Sequence, residues 1–222
     1  MIHTPIRVMI VDDQELVRHG FRLVIDADPR TTVVGEAGDG EEAVQVATRL
    51  NPDVVVMDVR MPGMNGIEAT RRITVLLPHT RVLVLTTYDL DEYAFGALRA
   101  GASGFLVKST RPADLIGAIA SVHAGDAVVS PRITARLIEM AAPQLVDMSA
   151  GDRDSALAPL TPRERDVFDE IARGATNGEI ASTLYLSEST VKAHVGRVLL
   201  KLGLRDRVHA VILAYQLGVA GR

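Results

Sequence analysis

VVVMDVRMPGMNG occupies residues 54–66 of the chain. Four apolar residues run without alternation into Asp58, and a loop holding Pro62, Gly63 and Gly66 follows at once. An unbroken apolar run predicts a strand buried on both faces, as in a parallel sheet covered by helices. Burying a charge is costly unless it is paired, so a carboxylate at the end of such a strand asks what partner it serves.

Working outward, four more runs share this character: IRVMIVDD (6–13), TVVGEA (32–37), RVLVLTT (81–87) and GFLVK (104–108). With DVVVMDV (53–59) they predict five strands. Helical patterning falls between and after them, at about residues 14–27, 40–50, 65–76, 91–100 and 111–124. Strands and helices in alternation imply an α/β domain with a doubly wound five-stranded parallel sheet, over residues 1–125. In such sheets, binding groups gather at the carboxyl ends of the strands, where the strand order reverses.

Composition removes several function classes. The chain of 222 residues has no cysteine, which excludes disulfides, thiolate metal sites and cysteine nucleophiles. Its start lacks a secretion-signal pattern, and no apolar run approaches the ~20 residues needed to span a bilayer, so the expected location is cytoplasmic and no membrane partner is implied. Net charge is -4, but the balance is uneven: residues 1–125 carry 12 basic against 16 acidic side chains, residues 126–158 carry 3 against 5, and residues 159–222 carry 9 against 7. The tail is the basic part, and it is the part suited to nucleic acid.

The predicted strand ends bring particular chemistry together. Asp12 and Asp13 follow the first strand, Asp58 the third, Thr86 the fourth and Lys108 the fifth. Singly, each has a plain structural use as a cap, a strand residue or a solvated charge. Jointly they converge on one rim. Clustered carboxylates stay ionised only with a cation among them, and an all-oxygen donor set suits Mg²⁺. A carboxylate is also a phosphoryl acceptor when positive charge, here Lys108 and the metal, neutralises the phosphoryl oxygens, with Thr86 offering a hydroxyl donor. Asp58 is the nucleophile of choice, because the loop after it leaves space and backbone N–H groups for an incoming phosphoryl group.

VDD, DVRMPGMNG, LTTYD and FLVKS, in this order and spacing, resemble the receiver domain of bacterial two-component response regulators across residues 6–124. The resemblance implies a flavodoxin-like receiver with Asp58 as phosphoacceptor. It implies Mg²⁺ held by Asp13, Asp58 and the backbone carbonyl of Arg60, with Asp12 acting through water. It implies that Thr86 turns toward the phosphate and that Phe105 swings inward with it, reshaping the face of the fourth and fifth helical regions. Ser109 stands where many receivers have a proline after the lysine, which leaves the isomer of the 108–109 peptide open.

Residues 126–158 read as a linker: a short amphipathic helix in SPRITARLIEMA (130–141), capped by Ser130, then a small, polar, acidic tether. From residue 159 the pattern becomes all helical. Thr161, Pro162 and Glu164 mark a helix start, Gly174 its end, a second helix spans about 177–184, and Ser187 caps a third over about 188–202. Two helices joined by a tight turn form a helix-turn-helix pattern. At ~100° per residue, Val191, Val195, Val198, Leu199 and Leu202 form one stripe of the third helix. The opposite side presents Ser189, Lys192, Ala193, Gly196, Arg197 and Leu200, small and basic groups that suit close approach to DNA.

LTPRERDV, IARGATNGEIA, LSESTVKAHV and KLGLRDR resemble the LuxR-type helix-turn-helix of the NarL/FixJ class across residues 159–220. The resemblance implies Thr190, Lys192, Ala193, Gly196 and Arg197 at or near the major groove and Lys201 on the DNA backbone. It implies dimerisation of two tails through a last helix, about 206–217, on paired half-sites. The expected protein is a transcription factor switched when a sensor histidine kinase phosphorylates Asp58, with homodimerisation on phosphorylation. It is no enzyme beyond its own phosphoryl uptake and autodephosphorylation. Two competitors are an aspartate-based phosphatase, which would want a second acid where Arg60 stands, and a DNA-binding protein whose α/β half is only a scaffold.

Overall fold

The computed structural model describes residues 4–86, 96–125 and 150–219, and the chain divides into two compact units, Met1–Val129 and Ser130–Arg222. In the first, β1 (Ile6–Val11), β2 (Thr31–Ala37), β3 (Val54–Asp58), β4 (Arg81–Thr86) and β5 (Gly104–Val107) form one sheet in the order β2-β1-β3-β4-β5. Every pairing is parallel. The order reverses between β1 and β3, and the carboxyl ends of those two strands flank the crevice where such sheets bind.

Continuous apolar runs are explained by burial on both faces. Because side chains alternate across a strand, Val8, Ile10, Val54, Val56, Leu83 and Leu85 share one face. They pack with Ile25 of α1 (Glu15–Asp26) and with Leu115, Ile116, Ile119 and Val122 of α4 (Pro112–His123). The alternate residues Met9, Val55, Met57, Val82 and Val84 are buried as well, and α2 (Gly40–Leu50) and α3 (Gly66–Leu76) contribute buried Ala43, Ala47, Ala69 and Ile73. Asp39 and Asn65 cap α2 and α3, each accepting the backbone N–H three residues on. Of the helix expected at 91–100, residues 96–99 are helical and 91–95 lie outside the described residues, as does the whole helix expected at 130–141.

The second unit is helical: α5 (Ala150–Leu157), α6 (Pro162–Ala172), α7 (Asn177–Leu184), α8 (Glu188–Lys201) and α9 (Arg207–Gln216). Helix α5 corrects the reading of this stretch as a structureless tether. Its own sequence is a weak helix former, but Leu157 is only 1% exposed and belongs to the core with Phe168, Ile171, Ile180 and Val198. Asp154 also pairs with Arg165 at 3.0 Å. Tertiary burial rather than local propensity makes this helix. Capping boxes of Thr161 with Glu164 and Thr176 with Glu179 start α6 and α7. None of the described helices is long and apolar enough to cross a membrane.

Candidate functional site

Asp12 and Asp13 directly follow β1 and Asp58 closes β3, its neighbour in the sheet, so the fold sets three carboxylates with oxygens within 4.8 Å of one another. Asp12 and Asp58 are buried, and Asp13 is exposed. Lys108, one residue past β5, reaches into the same place: its Nζ lies 2.6 Å from Asp12 Oδ2 and 3.0 Å from Asp58 Oδ2. The root of that side chain is fixed by its backbone N–H, which donates to the Thr86 carbonyl at 2.7 Å. Thr86 itself is buried at the end of β4. The convergence expected for Asp12, Asp13, Asp58 and Lys108 is therefore present in the geometry.

Charge decides what the cluster can hold. Burial raises the Asp58 carboxyl above its ordinary pKa, Lys108 pulls it down, Asp12 pushes it up again, and the net direction is up. For Lys108, burial disfavours the ammonium, yet Asp12 and Asp58 outweigh it and hold the pKa above the usual lysine value. Three ionised carboxylates against one ammonium leave a formal charge of -3 + 1 = -2 in a space a few ångströms wide. A divalent cation with oxygen preference fits that imbalance, and no imidazole or thiolate competes in the cluster.

The loop after Asp58 shapes the approach. The Val59 N–H donates to Asp58 Oδ1 at 2.8 Å, which leaves the second oxygen toward Lys108. An open pocket of about 370 Å³ lies alongside, lined by Asp13, Val59, Arg60, Met61 and Asn65. At Gly66, a Cβ would sit 1.8 Å from the Asp58 carbonyl oxygen, and its N–H donates to the Val59 carbonyl at 2.9 Å. The glycine lets the start of α3 press against the backbone that carries Asp58. Gly63 adopts a φ of +69°, the left-handed turn the loop requires.

Phe105 lies on β5 and is 2% exposed. No cis peptide bond occurs among the described residues, and the 108–109 peptide is trans. Sequence reasoning missed Arg18, whose Nη1 donates to the Asp12 carbonyl at 2.7 Å. Its basic position on an amphipathic helix offered only the signal of a solvated charge.

In the second unit, α7 and α8 are joined by a turn in which Tyr185 takes a left-handed φ of +54°. Val191, Val195 and Val198 are buried, with Leu199 and Leu202 packed against the same core, as the periodicity predicts. Ser189, Lys192, Ala193, Gly196, Arg197 and Leu200 are exposed, and Leu200 is 82% exposed. Thr190 is half-buried, its hydroxyl 2.8 Å from that of the cap residue Ser187. Lys201 is exposed at the end of α8, and its Nζ donates to Glu164 Oε2 at 2.6 Å, tying α8 to the capping box of α6.

Comparison with known proteins agrees with this geometry. Residues 8–120 match the response regulator receiver domain, and residues 158–214 match the bacterial regulatory proteins of the luxR family. The transcriptional regulatory protein YxjL of Bacillus subtilis is 44% identical, with 96% of this chain and 97% of that protein covered. The nitrate/nitrite response regulator protein NarL of Escherichia coli is 37% identical, with 96% of each chain covered. Among solved structures, the response regulator ChrA of a heme-sensing two-component system is 33% identical, covers 97% of this chain and 98% of its own, and has a TM-score of 0.52. The chain belongs to the DNA-binding transcriptional response regulators of two-component systems, joining a receiver domain to a LuxR-type helix-turn-helix.

Proposed function

We propose that phosphorylation of Asp58 by a sensor histidine kinase switches the DNA affinity of the tail. The observation that carries this is the Asp12, Asp13, Asp58 and Lys108 cluster at the strand-order reversal, with Asp58 against the Lys108 ammonium and Asp13 lining the adjoining pocket. Asp58 Oδ2 attacks the phosphorus of a phosphohistidine, the P–N bond breaks, and the imidazole nitrogen keeps the electron pair. Lys108 neutralises charge on the phosphoryl oxygens, and Thr86 donates its hydroxyl to one of them. Asp13, Asp58 and the Arg60 carbonyl would hold Mg²⁺, with Asp12 acting through water. Bound there, Mg²⁺ supplies the divalent charge that a phosphoryl group in transfer requires. The receiver promotes only its own phosphoryl uptake and loss, and membership in a family of DNA-binding regulators favours this over a phosphatase.

The readout runs through Thr86, Phe105 and the face of the fourth and fifth helical regions, a small charge event acting on a two-state element. In the tail, Thr190, Lys192, Ala193, Gly196 and Arg197 meet the major groove. A Cβ at Gly196 would meet no protein atom within 4 Å, so the domain's own packing does not require glycine there, while a close-lying groove favours it. Two tails pair through α9 on paired half-sites. We place the receiver at residues 1–125, the linker at 126–149 and the DNA-binding domain from α5 onward, because Leu157 lies in its core. The protein acts in the cytoplasm. Full-length protein and its Asp58→Asn variant, titrated onto genomic fragments with and without beryllofluoride, test the switch. The expected result is tighter binding on beryllofluoride addition for the parent alone, and an equal response of both proteins would contradict it.

A further inference from the structure

The strand-end carboxylates are held by a second layer of contacts. Asp12 donates its N–H to the Ala37 carbonyl at 3.2 Å and accepts the Gln14 N–H on Oδ1 at 3.0 Å. Its Oδ2 faces Lys108, and its carbonyl oxygen accepts from Arg18 Nη1 at 2.7 Å. That carbonyl is one end of the peptide unit joining Asp12 to Asp13. A peptide is planar, so whatever fixes the oxygen also fixes the plane that holds the Asp13 nitrogen and Cα, and narrows where its side chain can start. Asp13 is the exposed member of the cluster, and repulsion from two neighbouring carboxylates favours its turning out to solvent.

Arg18 is itself braced. It sits in the first half of α1 with only 18% of its side chain exposed, and its Nε pairs with Glu36 Oε2 on β2 at 3.3 Å. Arg22, one turn on, takes the other Glu36 oxygen at 2.5 Å. Burial pushes the Glu36 carboxyl up, but the two guanidinium groups outweigh it and hold its pKa below the ordinary value, so the brace stays charged. A guanidinium suits this place because its rigid fork serves a carboxylate and a carbonyl at once, which a single ammonium on a flexible stem does less well.

We infer that Arg18 is a positioning residue for metal uptake: braced by Glu36, it clamps the Asp12–Asp13 peptide so that Asp13 stays beside Asp58. The inference rests on the proposed reading of the acidic cluster as an Mg²⁺ site. The competing role for Arg18 is only to fasten α1 to β2. Groups that orient metal ligands from outside typically change affinity by about 10–100-fold when removed.

The test is Mg²⁺ titration calorimetry on the full-length protein and on Arg18→Met, Arg18→Lys and Glu36→Gln, with thermal unfolding of each in metal-free buffer. Arg18→Met is expected to weaken Mg²⁺ binding about tenfold or more, and Arg18→Lys to recover part of it. Glu36→Gln breaks the ion pair but leaves the bond to the Asp12 carbonyl, so it loses less Mg²⁺ affinity even where its melting temperature falls as far. If Arg18→Met does not fold, Arg18→Lys carries the comparison with the parent. Unchanged affinity in the Arg18 variants, or a loss that simply follows melting temperature in all three, would overturn the clamp. A parent protein that takes up no Mg²⁺ would instead remove the metal site, and the clamp with it.

Discussion

The Lys108 ammonium lies 3.0 Å from the Asp58 carboxylate, brought there by β5 from far along the chain. It is the standing countercharge of the cluster, and it draws on the same oxygens that a divalent cation would use. Lys108→Met is expected to tighten Mg²⁺ binding and to slow phosphoryl uptake from acetyl phosphate by about 10²–10³-fold, the usual cost of removing one charge-stabilising group. Calorimetry and labelling rates on the same preparation measure both effects. Loss of Mg²⁺ binding would show that the lysine does not compete for those oxygens.

Gly66 is the backbone complement of Asp58. Because a Cβ would stand 1.8 Å from the Asp58 carbonyl oxygen, Gly66→Ala must displace either α3 or β3. Overpacking of this kind costs about 1–3 kcal/mol or more. The urea midpoint of the receiver transition should fall accordingly, and labelling of Asp58 should slow with it. An alanine variant of parental stability would mean that the loop yields more easily than its packing suggests.

Glu164 ties the start of α6 to α8. Its hydrogen bond from Lys201, then that from the Thr161 N–H, hold its pKa at about 2 against an ordinary 4.5. A carboxyl depressed on folding contributes stability that is full above the unfolded value and is lost as pH falls through the folded one. The stability gap between the parent and Glu164→Gln should therefore be constant near neutrality, narrow below about pH 4.5 and close near pH 2. Denaturant unfolding across that range measures it, and a gap independent of pH would contradict the assignment.

Lys192 and Arg197 stand on the exposed side of α8. If each meets a phosphate, replacing either with alanine weakens DNA binding and flattens the slope of log K against log salt by about 0.9. Arg197→Ala with an unchanged slope but altered sequence preference would instead place its guanidinium on base edges. Lys201→Ala should lower stability more than salt dependence, because its partner is Glu164.

Much of this was legible in the sequence because the signals were local. Apolar runs ending in Asp12, Asp58 and Thr86 announced buried parallel strands and a polar rim, and valines at helical spacing fixed the core face of α8. What escaped was set by contacts distant in sequence. The bond from Lys201 to Glu164 has no sequence signal, because α6 and α8 must first bring the two together. Arg18 reads as a solvated cation until β2 supplies Glu36. Helix α5 has a polar, weakly helical sequence, and only the burial of Leu157 against the tail core makes it a helix. Gly66 was noticed, but its use follows from where the Asp58 carbonyl lies, which no spacing rule reveals.

The proposed switch depends on Asp58, within a cation-holding cluster, accepting a phosphoryl group. Mass spectrometry of the intact chain after incubation with acetyl phosphate and Mg²⁺ tests it most directly. One added phosphoryl group is expected on the parent, with none when a chelator replaces Mg²⁺ and none on Asp58→Asn. Equal labelling of Asp58→Asn would contradict the account.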